Sequence, residues 1–287
     1  MIYKDYNYDI YIMEINNYQG TYFCGGLGNQ LFQFFAGMSQ AIDKNKNLFI
    51  VLLESGRKFY FNMLFKKFAN NILNDNNINK NEIFNDKCSL IYSKIPENSN
   101  IIKGFFQSYK YFISNYDKII DILEIKNLQK KYTLPFKKTI AIHLRMGDYL
   151  HPKHIHAYPI LQPYYYLNAI NELKTKIHDI NEYTIIIFTE KCNDEIINKY
   201  LEIMNLPFKI VKIYDIFSNI DDDEELIYMS NCNHFIIANS TFSWWGAYLS
   251  NSENKLILYP SKYCNDNDRS IINYYYPDNW IKINVEP

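Results

Sequence analysis

The feature that most constrains this chain is the alternation in its second half of short, almost wholly apolar runs with stretches of helical length. Thr139–Leu144, Tyr183–Phe188, Phe208–Ile213, His234–Ala238 and Lys255–Leu258 read as strands. Pro163–Ile177, Asn193–Met204, Glu224–Cys232 and Trp244–Ser250 read as helices. A strand that is apolar on both faces leaves no face for water, so the pattern predicts a parallel sheet covered by helices on both sides. The first half is less regular. After an N-terminal extension and the glycine cluster Cys24–Gln30 come an apolar helical stretch, Leu31–Ile42, and a strand, Leu48–Leu53. Further strand-like runs lie at Ser89–Tyr92 and Asn100–Lys103, and the Asn-rich, patternless Asn70–Asp86 predicts loop or short helix. The charged link Lys130–Lys138, with Pro135, separates 1–137 from 138–287. The expected architecture is α/β, two Rossmann-like lobes facing across a cleft.

Composition narrows the partners. With 48% hydrophobic and 17% aromatic residues, the 287-residue chain has ample material for a core. A formal charge of −1 argues against nucleic acid or an anionic membrane, so any phosphate must be held by a few placed groups. Five scattered cysteines, without a CxxC pair, suggest reduced thiols rather than disulfides or zinc. Met1–Asn17 has no signal-peptide core, and no run reaches about 18 uncharged apolar residues. The expectation is a cytoplasmic protein whose contact with a membrane, if any, is peripheral.

The densest chemistry lies in Thr139-Ile-Ala-Ile-His-Leu-Arg-Met-Gly-Asp-Tyr149. Strand alternation puts Ile140, Ile142 and Leu144 on one face and His143 and Arg145 on the other. Gly147 then permits a turn, leaving the polar pair at the carboxyl edge, where open α/β sheets bind ligands. There Arg145 fits two roles: a bidentate clamp on a departing diphosphate, or an ion pair with Asp148 that closes the loop. A second such edge is His234–Tyr248, in which a buried strand runs through Asn239-Ser240-Thr241 into a helix near Phe242 or Ser243. These side chains suit N-caps, and a helix start is an anion site.

The Gly25–Gln30 cluster partly fits a dinucleotide fingerprint, with Glu54 near the expected acidic position. Leu31 fills the third glycine position, however, and Asn29 and Gln30 stand where small residues should pack. Asp221-Asp-Asp223 imitates a metal site, but an acidic run before a helix complements its dipole. His151, His154 and His156 fit no zinc spacing.

Four blocks together resemble the α-1,2-fucosyltransferase family, the inverting GDP-fucose enzymes of family 11 type. They are Gly25–Phe34, Gly104–Phe112, His143–Tyr149, and Glu225–Cys232 running into Asn239–Gly246. The resemblance implies a GT-B type fold and transfer of L-fucose from GDP-β-L-fucose to a glycan hydroxyl, O-2 of a galactoside. It implies that Arg145 contacts the β-phosphate, that His143 lies in the nucleotide pocket, and that Asn239, Ser240, Thr241, Phe242 and Ser243 line the donor site with Gly26 and Gly28. Asn29 would sit near the reacting centre, and Asp215 would meet the guanine edge. Asp148 is the nearest candidate for the acceptor base or, alternatively, a loop anchor. No metal or other cofactor is expected. Met146 stands where the family usually has a second arginine; alternation turns it away from Arg145. Rival readings are another GDP-sugar donor and a GDP- or glycan-binding protein without catalysis.

Overall fold

The computed structural model describes residues 17–53, 56–78, 80, 83–86, 90–152, 156–265 and 275–286. The first sheet holds β1 (Tyr18–Phe23), β2 (Asn47–Leu52), β3 (Ile72–Leu73), β4 (Ile83–Asn85) and β5 (Ile101–Lys103) in the order β3-β2-β1-β5-β4. All its pairings are parallel, and helix α1 (Leu27–Asp43) carries the chain from β1 to β2. Helices α2 (Tyr116–Ile122) and α3 (Ile125–Lys131) follow.

The second sheet holds β6 (Thr139–His143), β7 (Thr184–Phe188), β8 (Lys209–Lys212), β9 (His234–Ile236), β10 (Ile257–Pro260) and β11 (Ile281–Ile283) in the order β11-β10-β9-β6-β7-β8. It too is parallel throughout. Its helices are α4 (Pro163–Lys176), α5 (Asp194–Met204), α6 (Ile213–Ile216), α7 (Asp222–Ser230) and α8 (Thr241–Tyr248). The α/β architecture read from the alternation of runs is the one observed. All strands of the first sheet precede Pro135 and all strands of the second follow it.

Each face of β6 has its own core. Ile140, Ile142, Leu144 and Met146 pack with Tyr165 and Ile170 of α4 and Ile197 of α5. Ala141 belongs to the opposite cluster, with Ile227 of α7 and Trp244 of α8. Met146 is thus turned into the apolar layer, as alternation predicts. The opposite cluster continues into the first lobe: the Phe32 ring lies 4.6 Å from Trp244 and 4.9 Å from Trp245, and Phe35 lies 4.4 Å from Trp245. Helix α3 is tied to the same layer, since Gln129 donates to Ser230 Oγ and to the Leu249 carbonyl, both at 3.0 Å. At the far end of α8, Lys255 donates to the carbonyls of Ala247, Tyr248 and Ser250, which a helix end otherwise leaves unpaired.

Several expectations need correction. The N-terminal extension that the sequence predicts contains the central strand β1, whose apolar run Gln19, Gly20 and Thr21 interrupt. Those polar side chains are fully buried but partnered, Thr21 donating to the Gln33 carbonyl at 3.0 Å and Gln19 accepting from Lys44 at 3.0 Å. Helix α1 starts at Leu27, not Leu31, so the Gly-Asn-Gln block forms its first turn. Leu90–Tyr92 is irregular, and the partner of β5 is β4, inside the segment expected to be loop. Three alternating residues are too few to show a period. Among the described residues Cys24, Cys192, Cys232 and Cys264 form no disulfide, whereas Cys88, Glu54 and His154 lie outside the described residues. No helix among the described residues is long and apolar enough to cross a membrane.

Candidate functional site

The carboxyl edges of the two sheets meet where α1 and α8 begin. A Cβ placed on Gly28 would lie 2.4 Å from the Thr241 carbonyl carbon and 2.6 Å from the Phe242 nitrogen, so only hydrogen fits there. The two helix starts abut, one from each sheet. Neither carries an acidic residue in its first turn, and α1 has no side-chain cap at Gly26. At α8, Ser240 accepts from the Phe242 N–H at 3.3 Å. Helix α7 is built differently, with Asp222, Asp223, Glu224 and Glu225 in its first turn and a capping box at Asp221. That box is the dipole role expected for the Asp221–Asp223 run. A helix start without its own carboxylates keeps N–H groups for an external anion, and here two such starts share one joint.

Arg145 stands beside this joint. His143 pairs in register with Phe188, and Arg145 and Glu190 each lie two residues beyond those partners. The Leu144 N–H donates to the Phe188 carbonyl at 3.0 Å, carrying the register past the strand ends. Arg145 Nη1 consequently donates to Glu190 Oε1, and the guanidinium lies 5.2 Å from the Tyr149 ring centroid. The Arg145 side chain is 23% exposed, which places it at the lip of the sheet rather than in the interior. Glu190 Oε2 is buried without a hydrogen-bond partner.

His143 is buried, its ring 5.5 Å from that of Phe242, and its carbonyl accepts from the Tyr166 hydroxyl at 3.2 Å. Burial, with the charge of Arg145, holds the imidazole down to about 3, so the ring is neutral. Its Nδ1 has no hydrogen-bond partner, an opening for a polar ligand atom. On α7, burial together with Asp222 and Glu190 pushes the Glu225 carboxyl up to about 8. Asp222 accepts from the Tyr60 hydroxyl, and Lys58 lies 2.8 Å from Asp221, so a first-lobe loop is fastened to the start of α7.

Gly28, Thr241, Phe242, His143 and Arg145 therefore form one connected group. Asn29 sits one residue past the joint, its Oδ1 accepting from Gln107 at 2.9 Å, and a Cβ on Gly26 would meet nothing within 4 Å. Asn239 faces inward, its amide donating to the carbonyls of Pro159 at 3.1 Å and Tyr263 at 2.9 Å, so it braces two loops. Ser243 is buried and donates to the Ala238 and Ser240 carbonyls. Asp215 is exposed on α6, after β8, and among the described residues no contact joins it to the group. The Asp148 side chain lies outside the described residues. No cluster of three or more His, Cys, Asp or Glu that could hold a metal occurs among those described.

Sequence reasoning missed Glu190, Glu225 and Gln107. The carboxyl-edge rule, applied to the run ending at Phe188 as it was to the run ending at Leu144, points at Glu190. Nothing local marks Glu225, whose character comes from what packs over it.

Residues 57–284 match the family model of glycosyl transferase family 11. An alpha-1,2-colitosyltransferase from Escherichia coli is 25% identical across 90% of this chain and 96% of its own length. The O-antigen biosynthesis glycosyltransferase WbnK from Escherichia coli is 29% identical across 65% of this chain and 62% of its own length. A solved glycosyl transferase of family 9 from Veillonella parvula covers 95% of this chain and 86% of its own, with 11% identity and a TM-score of 0.45.

Proposed function

The chain belongs to glycosyl transferase family 11, and on that premise we propose that this glycosyltransferase moves L-fucose from GDP-β-L-fucose to O-2 of a galactoside with inversion. The observation that carries the reading is the joint itself: two helix starts without carboxylates, one from each sheet, with Arg145 and the unpartnered Nδ1 of neutral His143 beside it. A nucleoside diphosphate is the anion such a joint suits, since its charge grows as the glycosidic bond breaks.

The lobe after residue 137 holds the nucleotide and the lobe before it offers the acceptor. The acceptor O-2 attacks the anomeric carbon from the face opposite the diphosphate, through an oxocarbenium-like transition state. Arg145 turns from Glu190 toward the β-phosphate, and the N–H groups around Gly28 and Thr241 meet the remaining oxygens. These groups neutralise the leaving group without a metal ion. His143 offers its neutral Nδ1 to a donor oxygen, Ser240, Thr241, Phe242 and Ser243 shape the wall, and Asp215 meets the guanine edge. Asp148 takes the acceptor proton.

Calorimetric titration with GDP, UDP and NAD, followed by product analysis with lactose and a panel of donors in EDTA, tests this. Saturable GDP binding and an α-1,2-linked fucosyl product are expected. GDP binding without product from any donor would leave only a binding protein, and a response to NAD alone would overturn the reading. A colitose donor belongs in the panel, because the relative matching 90% of this chain is named for that transfer.

A further inference from the structure

Beside the joint, the first lobe presents an aromatic ring that the mechanism above does not use. Phe105 lies in the loop that follows β5, and β5 is the hydrogen-bonded neighbour of β1. The loop is bound to the first two turns of α1 at two points. Gln33 donates to the Gly104 carbonyl at 3.1 Å, and Gln107 donates to Asn29 Oδ1 at 2.9 Å. Asn29 is the residue after Gly28, where the lobes touch. The loop that carries Phe105 is thus held against the residue next to the joint.

A single exposed apolar side chain means little in itself. What distinguishes Phe105, at 38% exposure, is the backbone that holds it out. Gly104 has φ +151 and packs so closely that a Cβ would lie 2.5 Å from the Asp86 Cβ. Phe106 has φ +49, a left-handed conformation that a bulky residue adopts only when its surroundings enforce it. Here the Phe106 N–H donates to Asp86 Oδ2 at 3.2 Å, and its carbonyl accepts from the Ser108 N–H at 2.7 Å. Its ring is locked inward, 5.1 Å from Tyr111 and 6.4 Å from Phe84. Phe106 is thus driven into the core, and its neighbour Phe105 is left facing water two residues before Gln107, which is bonded to Asn29.

We propose that Phe105 is the platform on which the acceptor sugar stacks, an inference that rests on the reading of the chain as a transferase acting on galactosides. A β-galactopyranoside presents C3–H, C4–H and C5–H on one face, an apolar patch the size of a phenyl ring. That patch covers Phe105, while Asn29 and Gln107 meet the hydroxyls along the sugar's edge. Placed so, the acceptor faces the donor across the joint.

The test uses lactose as the probe, with GDP bound. Saturation-transfer NMR on the wild-type protein should show transfer to the galactosyl ring protons, and Phe105→Ala should abolish it. In turnover, Phe105→Ala should raise the KM for lactose about tenfold, equivalent to about 1.4 kcal/mol, whereas Phe105→Trp should keep it near wild type. GDP affinity and the donor KM should not change in either variant, which also reports that both fold. An unchanged lactose KM in Phe105→Ala overturns the platform, as does loss of GDP affinity, which would assign the loop to the donor. Lactose that receives no saturation from the wild-type protein overturns it too. Lactose that stacks on Phe105 without being fucosylated would instead count against the proposed reaction and leave the platform standing.

Discussion

Among single residues, Arg145 carries the proposed contact to the leaving group. Its partner Glu190 and the ring of Tyr149 fix the guanidinium at the lip without burying it. Removing it takes away a charge and leaves Glu190, whose Oε2 already lacks a partner, without its cation. Arg145→Ala should lower kcat by about 10²- to 10³-fold, the scale for losing one leaving-group contact, and lower stability by about 1–3 kcal/mol through the stranded Glu190 while the protein still unfolds cooperatively. Wild-type turnover would remove the proposed mechanism. His143 makes a separate prediction in stability. In the fold it titrates near 3, while in the unfolded chain it has its ordinary value of 6.5. Between these values the unfolded chain binds the extra proton, so stability falls as pH drops from 6.5 toward 3. His143→Gln should flatten urea-unfolding free energy over that window by up to about 1.4 kcal/mol per pH unit, and an unaltered slope would show that the ring is not held neutral. Arg145 and His143 were legible at the carboxyl edge because alternation along one strand is a local property. Glu190 was harder to find because its place beside Arg145 depends on the pairing of β6 with β7, which no single segment encodes.

For whole elements, the decisive contact is α1 against α8. Gly26 and Gly28 sit two residues apart in the same block, yet a Cβ at Gly26 meets open space and one at Gly28 meets the backbone of Thr241 and Phe242. Backbone cannot rotate away as a side chain would. Gly28→Ala should therefore cost about 1–3 kcal/mol through overpacking and weaken GDP binding by spreading the two helix starts. Gly26→Ala, at φ −76 with open space around its Cβ, should cost only what a poorer N-cap costs, about 0.5–1 kcal/mol. Equal midpoints in chemical denaturation for the two variants would mean that the helix starts do not abut. The glycine cluster was visible in the sequence, but its purpose was not, since close approach to a helix more than 200 residues later leaves no local trace. The same reason hid β1 and β4. Buried Gln19 and Thr21 look like surface until Lys44 and Gln33 are brought to them, and a strand of three residues shows no period.

On the scale of the whole molecule, the two lobes share one core. Phe32 and Phe35 from the first lobe and Trp244 and Trp245 from the second share one aromatic layer, and Gln129 of α3 stitches it to α7. Sequence periodicity distinguishes the lobes well because each sheet repeats its own pattern, but it is silent on a core assembled between them. Burial of this size couples the lobes, so heat should unfold the protein in one transition, with near- and far-ultraviolet circular dichroism coinciding. In the proposed site GDP would lie against both lobes, and it should move that single transition upward as a unit, by about 2.7 kcal/mol of added stability at a hundredfold excess over its Kd. Trp245→Ala removes the side chain that meets both Phe32 and Phe35. It should cost about 3–5 kcal/mol and separate the transition into two, of which GDP then raises the one belonging to residues 138–287. If the wild-type protein already melts in two steps, or GDP shifts only one of them, the shared layer is not what joins the lobes, and the joint between α1 and α8 must form only when the donor arrives.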